Sequence, residues 1–494
     1  MLAIGNLDKL IRTDEIFRII GIEASKRGVK AWLIGGFVRD GLLGLTPKDA
    51  DLMFESSGNA ESIGNILSSQ FGSTLVHFEK HMPVFRITIE GCQYDLADLN
   101  ELSIKRDQLR RDFTINSIAV ELTSVFGCAS SGQITLVVAS TGIADLENRL
   151  LRVNSKAVFG DDPLRIVRLF RFERQLQFAI DPDTLNAVPE YINGLAQISG
   201  ERVRDELFHI LKSNCAADTL VTMYNAGVLS RLFPFLDEMK GVTQNEYHHL
   251  DVLEHTLDAI RQFETVLEFS DDLTHPFESR LKAIAAEELV PDRPRAALMK
   301  LAILFHDVGK PMTRVVRDDG KVTFIGHDKY GVELIEPYLD YLHLSRREKA
   351  YINMLVEGHL RPGFLDPQSP TLPKAIFRFF DRFDDWGVDI VLISIADRLA
   401  ARGELVDEDV EARHSDSARI LLDAYFNRNK VLVKPPDILN GDDLIREFNL
   451  EPGKRIGIIL KVIKEGQASG DVTDYASGIE YARRFIVESE NKAN

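Results

Sequence analysis

The sequence predicts an α+β protein: a small mixed head followed by a long all-α body. Three observations predict it. Runs with strand character, AWLIGG (31–36), DADLMF (49–54), VFRITI (84–89) and QYDLADL (93–99), are confined to the first hundred residues, and helical patterns separate some of them. From about residue 160 the pattern is helical almost throughout. The length of 494 residues, 45% of them hydrophobic, supports several cores and about three domains at roughly 150 residues each.

The elements follow in order. Residues 1–30 read as an amphipathic helix, and the four strands come next. Pro163, Pro182 and Pro189 punctuate the helical stretch after 160. A second helical block runs from about 245 to 405, and PPDILNG (435–441) reads as a loop opening a last helical segment. There is no internal repeat and no low-complexity linker. The expected division is a head over 1–155, a helical neck over 156–235, a third domain over 236–405 and a helical tail over 406–494.

Composition narrows the classes of function. The formal net charge of −17 argues against a broadly adhesive nucleic-acid binder. Residues 101–180 depart from it, with 11 Lys and Arg against 9 Asp and Glu, so nucleic-acid contact is expected there first. No apolar run reaches the roughly 18–20 residues of a membrane span. The first residues, MLAIGNLDKLIRTDEIF, lack the apolar core of a secretory signal. Cys92, Cys128 and Cys215 are too few and too scattered for a disulfide frame or a Cys-based zinc site, and they predict a reducing, cytoplasmic compartment.

The chemistry begins in AWLIGGFVRDGLLGLTPKDADLMF (31–54). A strand ends at Gly35-Gly36, where a backbone without side chains lets a ligand approach, and a short helix follows whose N-terminus favours phosphate. Arg39, one turn in, is placed to meet the same phosphate. Asp49 and Asp51 then start a strand, and the period of two puts both carboxylates on one face. Like charges so close call for a cation between them, and hard oxygen ligands suit Mg²⁺ shared with substrate phosphates. A metal pair about 3.5–4 Å apart would activate an attacking hydroxyl and steady a leaving pyrophosphate.

GGFVRDGLLG…KDADL resembles the signature of the class II branch of polymerase-β-like nucleotidyltransferases, which contains the tRNA nucleotidyltransferases (CCA-adding enzymes) and the bacterial poly(A) polymerases. RRDFTINSIA (110–119) is similar to that family's RRDFTINA. The resemblance implies a polymerase-β-like head in which Arg111 contacts the nucleotide, Asp112 and Asn116 shape its sugar and phosphate site, and Gly35, Gly36 and Arg39 hold the triphosphate. It also implies a third catalytic carboxylate on a later strand. Asp95 in QYDLADL is the expected residue and Asp98 its competitor.

DDPLRIVR (161–168) opens a helix, capped by Asp with Pro163 at its first position. Cytosine and adenine each present an amine beside a ring-nitrogen acceptor, whereas guanine and uracil present a carbonyl beside an N–H. A carboxylate next to an arginine complements the first pair and opposes the second. The matching family motif is used this way, which implies that Asp162 accepts from the amine, Arg165 donates to the ring and Arg168 supports the site. DLENRLLRV (145–153), ISGERVRDELFHIL (198–211) and the stretch 435–485 also resemble family segments.

In the body, His255, His306-Asp307 in FHDVGK and Asp397 in ISIADRLAAR form the ordered His…His-Asp…Asp pattern of an HD domain. Imidazoles with carboxylates suit Mn²⁺, Fe²⁺, Ni²⁺, Co²⁺ or Zn²⁺, whose bound water would attack phosphorus. His327 and His359 could add a second metal. The resemblance implies 2′,3′-cyclic phosphodiesterase or phosphatase activity there. Only Leu96–Leu109 separate Asp95 from Arg110, and a segment this short resembles the members that add two cytidines and leave the terminal A to a partner. The expected function is template-independent addition of CMP, with AMP addition left open, to a tRNA 3′ end from CTP and ATP. A poly(A) polymerase and a protein that is chiefly a metal phosphohydrolase are the alternatives.

Overall fold

The computed structural model describes residues 2–78, 83–127, 133–270, 273–403 and 408–491. Cys128 and the expected boundary at 405/406 lie outside the described residues. The chain divides into two compact units, residues 1–198 with 226–231, and residues 199–225 with 232–494. The fold is the expected one, a head built on one sheet and a helical body.

The first unit is organised by a sheet of β1 (Ala31–Ile34), β2 (Asp49–Phe54), β3 (Leu75–Phe78), β4 (Val84–Ile89), β5 (Cys92–Asp98), β6 (Ala119–Glu121) and β7 (Leu136–Val137). Their order is β3-β4-β5-β2-β1-β6-β7. β2 runs parallel to β5, and the other neighbouring pairs are antiparallel. β1 is central and buried along its whole length, as its unbroken apolar run requires. Trp32, Ile34, Met53, Ala97 and Ala119 cluster on one face. Ile34 pairs with Asp51 and Trp32 with Met53, so the carboxylates of β2 stand at the end of this same face.

The N-terminal segment is two helices, α1 (Ile4–Thr13) and α2 (Glu15–Lys26), where the sequence reads as one. Asp14 explains the break. One carboxylate oxygen accepts from the N–H groups of Ile16 and Phe17, capping α2, while the other accepts from the Tyr94 hydroxyl at 2.9 Å. The remaining helices that position the head site are α3 (Gly36–Leu42), α4 (Asn59–Phe71), α5 (Ile104–Arg110) and α6 (Leu164–Leu176). Pro163 stands at the N-cap of α6, one residue earlier than expected, and Asp162 accepts from the Leu164 N–H.

The second unit is helical apart from two short antiparallel pairs, Glu288–Val290 with Arg293–Pro294 and Val315–Val316 with Val322–Thr323. The elements around its chemistry are α7 (Val252–Val266), α8 (Arg295–Phe305), α9 (His327–Tyr341), α10 (Arg346–Gly358), α11 (Gly387–Ala400) and α12 (Glu408–Asn427). α8 and α11 are buried nearly all round and carry apolar residues on every side. After the 435–441 loop, Asn440 and Asp443 form a capping box that starts the helix Gly441–Phe448. That helix packs with two later ones around Leu444, Ile459, Ile463 and Val472. No helix among the described residues is long and apolar enough to cross a membrane.

Candidate functional sites in the head and the body

Register decides which carboxylates share a face. Asp51 is directly opposite Asp95 in the parallel β2–β5 pair, and Asp49 is opposite Gln93. Asp49, Asp51 and Asp95 therefore project from one side of the sheet. Asp98 is opposite Phe54 and projects from the other side. Its carboxylate accepts from the N–H groups of Gly58 and Ala60 and anchors the start of α4, so Asp95, and not Asp98, shares the face of Asp49 and Asp51.

Two arginines hold two of these acids. Arg86 on β4, opposite Asp95, grips it with paired bonds of 2.7 Å each. Arg111 reaches Asp51 at 3.1 Å and Asp107 at 3.1 Å. Arg111 was expected to contact the nucleotide; its pairing with Asp51 was not foreseen. Arg86 was not expected, and its signal was its place on the neighbouring strand. Burial, with Asp95 and Asp51 beside it, pushes the Asp49 carboxyl above its ordinary range. This charge arrangement, with hard oxygen donors, fits a divalent cation.

Gly35 ends β1 with φ of 88°, a conformation side-chain-bearing residues avoid. A Cβ there would lie 2.7 Å from an Asp51 oxygen and 3.1 Å from the Arg111 guanidinium. The missing side chain is what lets these groups converge. Gly35→Ala should cost about 1–3 kcal/mol of stability and lower nucleotide incorporation by displacing Asp51. Thermal melts and initial rates on one preparation would check both, and a variant with native rates would show that the approach is unnecessary. Gly36 opens α3, and a Cβ there would lie 3.7 Å from an Arg39 nitrogen.

Arg39, Asn116, Asp112 and Arg168 join in one network. Arg39 donates to Asn116 Oδ1 at 2.7 Å, Asn116 donates to Asp112 Oδ1 at 3.0 Å, and Arg168 reaches Asp112 Oδ2 at 2.9 Å. Phe172 lies under three guanidiniums, with Arg39, Arg168 and Arg171 at 5.0, 5.6 and 4.4 Å from its ring centre. Burial would raise the Asp112 carboxyl, yet Arg168, Asn116 and the Phe113 N–H hold it below its ordinary 3.8. The ionised form thus contributes stability that is complete above about that pH and is lost as the pH falls below it. Asp112→Asn should unfold in less urea than the native chain at about pH 6, and the gap should narrow as the pH falls below the ordinary carboxylate range. A gap independent of pH would refute this. Asp162 and Arg165 stand half-buried where α6 begins, and Arg165 donates to the Val158 carbonyl at 3.0 Å.

In the second unit, His255, His306, Asp307 and Asp397 bring one ligand atom each within 4.8 Å of one another, and Asp307, His327 and His359 do the same. Asp307 belongs to both groups. Its Oδ2 faces His306 at 3.1 Å and His255 at 3.7 Å, and its Oδ1 faces His327 at 3.3 Å and His359 at 3.9 Å. His306, His327 and His359 each turn Nδ1 to the carbonyl three residues back, at 2.7, 2.8 and 2.7 Å. Those bonds fix the rings and leave Nε2 aimed at the shared centre. Both Asp307 oxygens and His306 Nε2 are buried without a well-directed hydrogen bond, so they converge on a point rather than on each other.

The electrostatics agree. Burial opposes charge on His306, but Asp307 and Asp397 push it up to about 10, whereas burial and the neighbouring His306 and His327 push His359 down to about 3. Borderline nitrogen and oxygen donors fit a divalent metal. Lys310, one turn after Asp307, reaches its Oδ2 at 2.6 Å and Gln244 at 2.7 Å. The sequence FHDVGK contains this lysine without marking its role, although its spacing of three from Asp307 across a tight turn carried the signal.

A sheet-borne acidic face beside a glycine turn defines a nucleotidyltransferase head, and it shares the chain with an HD-type body. Residues 31–152 match the Poly A polymerase head domain, residues 177–240 a probable RNA and SrmB-binding site of polymerase A, and residues 272–386 the HD domain. An A-adding tRNA nucleotidyltransferase of Deinococcus radiodurans is 30% identical over 466 residues, covering 93% of this chain and 96% of that protein. A CC-adding tRNA nucleotidyltransferase of Geobacter sulfurreducens is 28% identical, covering 96% and 95%. The Thermotoga maritima CCA-adding enzyme complexed with tRNA shares the fold, with a TM-score of 0.61 and 22% identity over 96% of this chain and 95% of that one. The chain belongs to the tRNA nucleotidyltransferase family.

Proposed function

We propose that the head transfers CMP from CTP, and AMP from ATP, to the 3′ end of tRNA without a nucleic-acid template. The observation that carries this reading is the single face shared by Asp49, Asp51 and Asp95, with Gly35 and Arg111 closing on Asp51. The tRNA 3′-oxygen bonds to the α-phosphorus as its proton leaves, and the bond to the bridging oxygen of pyrophosphate breaks. The three carboxylates would hold Mg²⁺, which when bound neutralises phosphate charge and orients attacking and leaving oxygens. Arg39 and Arg111 bind the triphosphate, while Asp112 and Asn116 set its sugar. Asp162 and Arg165 select cytosine or adenine by their donor and acceptor pattern, and Arg168 holds the α6 helix to Asp112.

The division into a head (1–155), a selecting neck (156–235), an HD domain (236–405) and a tRNA-binding tail (406–494) is part of the same proposal. Action in the cytoplasm belongs to the same proposal. A gel assay with radiolabelled CTP or ATP tests the reading on tRNA ending before CCA, tRNA ending in CC, and unstructured RNA. Nucleotides added to tRNA and stopping at CCA are the expected result. Two C residues alone would assign CC addition, and A alone would assign A addition, the activities for which the two relatives are named. Long A tails on any RNA would favour a poly(A) polymerase.

The two ligand groups that share Asp307 favour a second activity in the body, hydrolysis of a phosphoester such as a 2′,3′-cyclic phosphate. His255, His306, Asp307 and Asp397, with His327 and His359, would hold a divalent transition metal that supplies an acidified water.

A further inference from the structure

A cavity of about 610 Å³ in the second unit is lined by Asp397 together with Tyr247, Phe364, Arg398, Arg413 and His414. Asp397 thus belongs both to the first ligand group and to the wall of this cavity. The next residue, Arg398, has a side chain only 13% exposed, and its Nε and one Nη are buried with no hydrogen-bond partner among the described residues. That Nη pairs with the Glu411 carboxylate at 3.9 Å, a charge contact too long for a hydrogen bond. A buried guanidinium with one distant charge partner and unmade hydrogen bonds is stabilised by a ligand that supplies close acceptors.

The other lining groups extend the pattern. Arg413 is exposed and spends only its Nε, on the Asp409 carbonyl at 3.3 Å. His414 Nε2 lies 3.1 Å from the Ser394 carbonyl, so it donates there and leaves Nδ1 as an acceptor. Phe364 is 70% exposed and Tyr247 39% exposed, so two aromatic rings stand open on the same cavity. Solvent-facing aromatic rings beside arginines suit a flat ring carried on a phosphate.

We propose that this cavity is the substrate pocket of the HD centre, in which Arg398 and Arg413 grip the phosphate of a nucleoside phosphoester and Phe364 and Tyr247 stack its base. The proposal rests on the metal reading of the body and adds to it the groups that choose the substrate. The phosphate then meets guanidiniums on one side and the metal ligands on the other, while the base, not the ester alone, contributes to affinity. Arg398 and Arg413 act on binding. Neither belongs to the two ligand groups, so metal uptake should not depend on them.

The test is calorimetry on the full chain with Asp49 and Asp51 replaced by Ala, so that Mn²⁺ taken up reports on the body, using adenosine 3′-monophosphate, inorganic phosphate and adenosine as probes, with manganese stoichiometry read in parallel by electron paramagnetic resonance and the same chain without Arg398→Gln as the reference. Arg398→Gln should weaken the nucleotide and inorganic phosphate roughly ten- to a hundredfold, the loss of one charge-assisted contact, and take up as much Mn²⁺ as the reference chain. Phe364→Ala should weaken the nucleotide and leave inorganic phosphate unchanged. Should Arg398→Gln fail to fold, the exposed Arg413→Gln gives the same reading with a smaller effect. Reference nucleotide affinity in both arginine variants, with Mn²⁺ bound, overturns the pocket and spares the metal reading. A reference chain that takes up no Mn²⁺ overturns the metal reading and the pocket with it.

Discussion

Replacing Asp49 and Asp51 together with Ala should lower nucleotide incorporation at least about a thousandfold, the scale on which removing an electrostatic anchor for a reacting phosphate acts. The same change should leave the melting temperature unchanged or raise it. Burial and the two neighbouring acids push the Asp49 carboxyl up, so its ionised form is disfavoured in the folded chain at neutral pH. Deleting it removes repulsion rather than support. The Asp51–Arg111 pair, at 3.1 Å with Asp51 nearly half exposed, is worth little to stability. Activity and stability should therefore move in opposite directions, as in a site that holds like charges together for chemistry. Initial rates with labelled CTP and thermal melts on one preparation decide it. Incorporation at the native rate would remove the acidic face from the mechanism, and a large fall in melting temperature would make these residues structural.

That acidic face was half legible before the fold was known. The period of two on DADLMF places Asp49 and Asp51 on one side without further information. The choice between Asp95 and Asp98 depends on register between strands far apart in sequence. Only the pairing of Asp51 with Asp95, and the use of Asp98 to anchor α4, separates them. Arg86 is a different case: it lies nine residues before Asp95, and the two-residue turn Glu90-Gly91 between β4 and β5 sets the register that pairs them. Strands β6 and β7, of three and two residues, are too short for a periodic signal, and β3, of four residues, sits mostly exposed at the sheet edge. The break at Asp14 was visible as a capping residue inside an otherwise helical pattern, but its second role, accepting from Tyr94, needs tertiary structure.

The body was legible in another way. Its ligands come from helices and turns spread over 142 residues, from His255 to Asp397, and their order alone announced the cluster. What order could not show is the sharing of Asp307 by two ligand groups and the locking of three imidazoles through Nδ1. Nor could it show Arg398 lying buried beside Asp397 with donors unspent, since an arginine on a helix reads as a solvated residue.

Sharing of Asp307 yields the second large effect. Asp307→Ala should abolish metal uptake in the body altogether, whereas His327→Ala should remove the second ion and keep the first. Asp307 is completely buried and turns one oxygen to each group, so its loss takes a ligand from both. His327 contributes to one group only. Metal that binds only the folded chain stabilises it by about 2.7 kcal/mol at a hundredfold excess over its dissociation constant, which is a shift of a few degrees in melting temperature for a unit of this size. Native chain should therefore melt higher when Mn²⁺ is added, His327→Ala should keep part of the body's response, and Asp307→Ala should keep only the share contributed by the head, the share that Asp49→Ala with Asp51→Ala removes. Nucleotide incorporation by the head should survive both changes. The Lys310 ammonium keeps its bond to Gln244 when Asp307 is removed, which limits the damage to the metal-free fold. A chain with Asp49, Asp51 and Asp307 all replaced by Ala that still melts higher with Mn²⁺ would mean that the body holds its ion on other residues. Equal loss in both variants would mean that the two groups bind as one centre.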